Sequence, residues 1–113
     1  MEALYADWID LFPYKVHVRV FWDRMEVKAH LFKIEIPFSE LEGMGIVERI
    51  PWYVGRGIEP YPHNRTLYVV SRRRNCVEVR KGSGFWRRLV LSVNQPDLLI
   101  ESVKRYSGRG WII

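Results

Sequence analysis

Three histidines, one cysteine and a few clustered carboxylates and glycines are the residues of this 113-residue chain that could take part in chemistry. Lys81-Gly82-Ser83-Gly84 has the glycines of a phosphate-cradling loop, but between two strand-like runs it reads as a hairpin turn. Cys76 begins a strand-like run with no neighbouring histidine to deprotonate it, so a half-exposed structural thiol is expected. Glu40 and Glu42 could pair for acid–base work, although acidic residues beside a turn are ordinarily solvated. The triplets Gly55-Arg56-Gly57 and Gly108-Arg109-Gly110 carry an Arg-Gly pattern too short to define RNA binding. A turn at Asp23-Arg24 would set His17 opposite His30, with Cβ atoms about 5 Å apart. His63 could add a third imidazole for a metal; the alternative is two polar residues on an exposed face. None of these sets names a reaction. The chain is therefore expected not to be an enzyme, and to carry no catalytic residue, cofactor or metal.

The elements that would position these residues are mostly strands. Lys15–Trp22 alternates Val16, Val18, Val20 and Trp22 against Lys15, His17, Arg19 and Phe21. A second run, Met25–Leu31, completes a hairpin in which Val20 faces Val27, Val18 faces Ala29 and Val16 faces Leu31, all apolar pairs. After a slip of phase at Leu31–Phe32, a third strand alternates Phe32, Ile34 and Ile36, and Pro37 ends it or puts it at an edge. A short turn and a strand over Gly45–Ile50 follow. Pro51–Arg65, with three prolines and two glycines, should be the longest loop. Thr66–Val70 and Cys76–Arg80 then form a hairpin, with Val70 opposite Val77 and Tyr68 opposite Val79, and Phe85–Val93 is the last strand. That makes about seven strands over residues 15–93.

A helix over about 95–106 closes the chain. Asn94 is placed to cap it, Asp97 favours its positive end, and Lys104 and Arg105 its negative end. Leu99, Ile100, Val103 and Tyr106 form its apolar stripe, and Gly108 stops it. At the other terminus Leu4, Trp8 and Leu11 recur at helical spacing before Pro13, which predicts a short helix or turn docked on the strands. The terminal Gly110-Trp111-Ile112-Ile113 is expected to pack back.

Composition frames these elements as one domain, residues 1–113, 48% hydrophobic and 27% charged. A single cysteine excludes an intramolecular disulfide and agrees with a reducing compartment, so a cytoplasmic location is expected. No signal peptide pattern opens the chain and no apolar run is long enough for a membrane span. Charge is uneven. Residues 1–64 hold 7 Lys/Arg against 10 Asp/Glu, whereas residues 65–113 hold 11 against 3.

The order of the hairpins, Ile36–Glu48 (IPFSELEGMGIVE), Gly55-Arg56-Gly57-Ile58 after a Pro-aromatic stretch, and Arg87–Tyr106 (RRLVLSVNQPDLLIESVKRY) together resemble a prokaryotic pleckstrin-homology-like (PH-like) domain over about Tyr14–Tyr106. That family typically shows an Ile-Pro-x-x-x-Ile-x-x-Val run, a Gly-Trp-Gly-Ile-like element and a last strand leading into an Asp-Pro-Glu helix. Here the tryptophan is missing from the middle element and the helix opens on Gln95-Pro96-Asp97. The resemblance implies a mainly β fold, a bent seven-stranded sandwich or barrel capped by one C-terminal helix, and no enzyme. Phosphoinositide binding in the wider superfamily uses a basic loop between the first two strands; Asp23-Arg24 offers no such cluster.

Three functions stay open. The first is a non-catalytic module presenting a face or sheet edge to another protein. The second is nucleic-acid (RNA) binding by a basic stripe of Arg72, Arg73, Arg74, Arg80, Lys81, Arg87 and Arg88 with the aromatic Trp86. The third is a small-molecule or metal-dependent enzyme. Loops 72–75 and 81–84 lie at opposite ends of one strand, so a stripe would suit an extended anionic partner better than a single lipid headgroup. Its alternative is internal pairing with Glu35, Glu40, Glu42 or Glu48.

Overall fold

A computed structural model describes residues 2–30 and 32–108. Two sheets face each other. The first is an antiparallel meander of β1 (Tyr5–Leu11), β2 (Tyr14–Val20), β3 (Arg24–Lys28) and β4 (Lys33–Pro37), in that order. The second contains β5 (Leu41–Arg49), β6 (Gly57–Tyr61), β7 (Thr66–Val70), β8 (Arg74–Lys81) and β9 (Arg88–Leu91), ordered β5-β8-β9-β7-β6. One helix, α1 (Pro96–Ser107), follows. The mainly β class and the C-terminal helix agree with the sequence. The sheets do not close into a barrel, and the described residues form nine strands, not seven.

Both additional strands lie where another structure was predicted. β1 replaces the expected N-terminal helix: Asp7 and Ile9 point inward and Trp8 and Asp10 outward, the period of a strand. A buried aspartate at an inward position hid that alternation. β6 lies within the expected long loop, and its Pro60 is tolerated because it is an edge strand.

The β2–β3 hairpin has the predicted faces through Val20 but a different register, and beyond Val20 the faces reverse, Phe21 being buried and Trp22 exposed in the turn. Val18 pairs with Val27 and Val20 with Met25, so the turn is Trp22-Asp23, closed by the Phe21 N–H donating to the Arg24 carbonyl at 2.8 Å. A two-residue slip keeps every side chain on its own face, so apolar matching alone was unable to distinguish the two registers. The expected partner of Val16, Leu31, lies outside the described residues, as does the terminal 110–113 segment.

The expected β7–β8 hairpin is not formed. β9 lies between them, parallel to β7 and antiparallel to β8. Leu67 and Val69 of β7 join Val77, Val79, Leu89 and Leu91 in the core between the sheets. Tyr68 and Val70 belong to a second cluster on the opposite face, with Cys76 and Val90, under Ile50 and Val54 of the β5–β6 loop. Every residue of β7 is therefore buried, as in a central strand covered on both faces. Tyr68 and Val79 cannot form an inward pair because they face different clusters.

Helix α1 matches its predicted span. Leu99 and Val103 are fully buried in the main core, whereas Tyr106 is largely exposed. Gly108 ends the helix at φ 69°, donating its N–H to the Lys104 carbonyl. The capping residue is Gln95, not Asn94, and no side chain of the helix's own segment caps it. The carboxylate of Asp7 on β1 instead accepts the Asn94 and Gln95 N–H groups at 3.1 and 2.9 Å.

Candidate binding surfaces

The arginine-rich half forms a stripe whose groups are largely engaged within the protein. Arg72 reaches across the ends of β8 and β9, donating to the carbonyls of Arg74, Asn75, Ser92 and Val93 at 2.6–3.0 Å. It stands where the chain must pass over β9 to connect β7 with β8, and its planar fork supplies donors to strand ends that lack partners. Arg73 donates to the Pro51 carbonyl at 2.8 Å. Arg87 clamps its own turn, donating to the carbonyls of Gly84 and Gly82.

Arg80 and Arg88, cross-strand neighbours, both bind Glu78, which is 6% exposed. Burial pushes the Glu78 carboxyl pKa up, but the hydrogen bonds and charges of Arg88 and Arg80 outweigh it and hold the group below its ordinary value. Arg88 also donates to the Tyr68 hydroxyl at 3.4 Å. Lys81 is half-buried, and burial lowers its pKa. Trp86 packs against the main core, with Phe85 edge-on at 4.8 Å. Arg74 is exposed and makes no side-chain hydrogen bond or ion pair among the described residues. The hydrogen-bond partners of the stripe are thus Glu78, the Tyr68 hydroxyl and backbone carbonyls; no ion pair joins it to Glu35, Glu40, Glu42 or Glu48 among the described residues, although the Glu40 charge acts on Lys81.

The histidines do not meet. His17 lies opposite Lys28 on β3 and Trp8 on β1. His30 stacks on Tyr14, with ring centroids 6.2 Å apart and planes at 18°, and His63 sits edge-on to Tyr61 on the other sheet. No group of three His, Cys, Asp or Glu residues among those described could hold a metal ion. Cys76 is fully buried rather than half-exposed, and burial raises its thiol pKa.

A surface that the charge count concealed lies on the other sheet. Along β2, Lys15, His17 and Arg19 point outward at the strand period, with Lys28 beside them on β3 and His30 beyond it. They line a groove of about 400 Å³ together with Pro13, Tyr14 and Ala29. His17, Arg19 and Lys28 have no hydrogen bond or ion pair with a described residue, and the Lys15 ammonium lies 5.7 Å from the Trp8 ring centroid. Glu26, opposite Arg19, is taken by Lys33 at 3.6 Å. Asp10 faces Lys15 across the strands without forming an ion pair. The signal was present in the alternation of Lys15–Arg19, but averaging charge over 64 residues of net negative charge erased it.

This groove runs into an apolar recess of about 130 Å³ between the end of the first sheet and β6, lined by Leu11, Tyr14, Val16, Ala29, Phe32 and Ile58, with His30 at its rim. Beyond it, a wider recess of about 510 Å³ is bounded by Phe12, Arg56 and Gly57. Tyr14 lines all three. Phe12, in the β1–β2 turn, is 96% exposed, and Tyr14 and Ile58 are also exposed. A separate aromatic run, Trp52, Tyr53 and Tyr61, with rings packed edge-to-face, lies against Tyr68 on the outer side of the second sheet.

In comparisons with known proteins, no family model, curated protein or solved structure matches this chain. Among the described residues no helix is long and apolar enough to cross a membrane.

Proposed function

We infer that this chain is a non-catalytic interaction module that binds another protein through the groove centred on Tyr14. The observation that carries this reading is Phe12, 96% exposed beside a recess lined by Leu11, Tyr14 and Ile58. An exposed aromatic side chain contiguous with exposed Tyr14 and Ile58 around an open recess is surface that a globular protein ordinarily covers with a partner. The apolar recess of about 130 Å³ next to it is of a size for one side chain, and the grooves of about 510 and 400 Å³ on either side are open enough for the chain that would carry it. The arginine-rich face fits this reading less well, because the groups that would grip phosphates already bind Glu78 and backbone carbonyls. Kinship with the PH-like family remains our proposal for the chain's origin. It is supported by the order of its sequence motifs and by a terminal helix packed on two facing sheets. The parallel β7–β9 pair and the nine strands are departures that such kinship has to accommodate.

The test places a photo-crosslinking amino acid at position 12 or, as a control, at Phe85 on the arginine-rich side, in the native host. A discrete protein adduct is expected from position 12 only, and Ile58→Glu should abolish it. Equal adducts from both positions, or adducts with nucleic acid from position 85, would refute the reading.

A further inference from the structure

We propose that the partner segment seated in this groove is an extended acidic peptide carrying one apolar anchor: carboxylates along β2 and β3, anchor in the recess beside Tyr14. The proposal rests on the interaction reading above and specifies the partner's chemistry. Residues on one face of a strand repeat every two positions, about 6.6 Å at 3.3 Å per residue. Lys15, His17 and Arg19 therefore present two cations and an imidazole at the interval at which an extended chain presents alternate side chains, and Lys28 widens the row. That Lys15, Arg19 and Lys28 form no ion pair with a described residue matters as much as their position. An incoming carboxylate need not displace an existing ion pair, as it would at Arg80 or Arg88.

The recess decides between acidic chains. It adjoins the cationic groove through Tyr14, Ala29 and His30, and its described lining is almost wholly apolar. A peptide can supply an aliphatic or aromatic side chain there while its neighbours meet the cations. A nucleic acid offers only polar-edged bases, and the two exposed aromatic rings beside the cations are already engaged, Tyr14 stacked on His30 and Trp8 under the Lys15 ammonium. An anionic bilayer would meet the protruding Phe12, but it has no side chain to fill a concave recess. Glu26 and Asp10 temper the field locally. Glu26 is buried and held by Lys33, leaving Asp10 as the exposed carboxylate beside the row.

The experiment uses the full chain and a fluorescein-labelled twelve-residue peptide with glutamate at alternate positions and one leucine near its end, read by anisotropy. Controls are the same peptide with leucine replaced by serine, a twelve-nucleotide oligouridylate, and phosphatidylserine–phosphatidylcholine vesicles. Saturable peptide binding is expected, weakening at least tenfold between 50 and 500 mM salt and at least tenfold for the leucine-free peptide. Lys15→Glu with Lys28→Glu, and separately Ile58→Glu, should each weaken it at least tenfold. These residues are exposed, so folding should survive, as near-UV circular dichroism would verify. Absence of peptide binding, an unchanged affinity in the double charge reversal, or tighter binding of the oligouridylate or vesicles would overturn the proposal. If the adduct at position 12 persists in the double charge reversal, the acidic partner is wrong while the interaction reading stands.

Discussion

Truncating Asp7 to alanine should destabilise the protein more than any other single change to an acidic residue on its first sheet. Asp7 is 3% exposed, and its carboxylate accepts the N–H groups of Trp8, Asn94 and Gln95 at 2.7, 3.1 and 2.9 Å. Two of these bonds join β1 to the start of α1, across more than 80 positions of sequence. A hydrogen bond to an ionised group contributes about 1.5–3 kcal/mol, and an unpartnered buried donor costs about 1–3 kcal/mol. Asn94 and Gln95 are exposed, so water can partly replace the carboxylate, which reduces the expected loss to about 2–4 kcal/mol. For a chain of this size that corresponds to a melting temperature lower by about 10 °C. Chemical denaturation followed by circular dichroism would measure the free energy directly, with an unchanged slope if only the native state is affected. Asp7→Asn should fall between, since its amide oxygen can accept while its NH2 faces another donor. Asp10→Ala, on the exposed face of the same strand, should change stability by less than about 0.5 kcal/mol. An Asp7→Ala loss as small as that would show that the carboxylate does not hold the helix start.

Other consequences are equally specific. Burial, assisted by Asp7, pushes the Tyr5 hydroxyl pKa up to about 12, so the folded state holds that proton more tightly than the unfolded chain does. Stability should therefore decline as pH rises from about 10 to 12, and Tyr5→Phe should flatten that decline in alkaline denaturation curves. Arg72→Ala should cost about 2–3 kcal/mol in a urea titration, because four carbonyls lose a charged donor, whereas Arg74→Ser should be nearly neutral. Cys76, fully buried with a raised pKa, should react with a thiol reagent only at the rate of unfolding; prompt modification of the native protein would contradict its burial.

What the sequence made legible follows from period and register. Period-two runs such as Lys15–Val20 located the strands and their faces, but a two-residue slip costs nothing in apolar matching, so the His17–His30 pair was placed by a register the turn does not adopt. β7 defeated the hairpin prediction because a strand buried on both faces has no alternation from which to choose a side. β1 was missed because its buried Asp7 serves the helix start, a tertiary role no local pattern announces. The arginines were visible, but whether each met a carbonyl, Glu78 or solvent depended on a strand order that crosses over β9. The Lys15–Arg19 row was equally visible at strand spacing, although the acidic average of the surrounding 64 residues obscured it.

Backbone amide NMR with the protein cross-linked at position 12, titrated unlabelled into the isotope-labelled chain, tests most directly where recognition lies. The account predicts shifts concentrated at Leu11, Tyr14, Lys15, His30 and Ile58, with Arg74, Arg80 and Arg88 unmoved. Shifts concentrated at Arg74, Arg80, Arg88 and Trp52, with the Tyr14 groove silent, would contradict it.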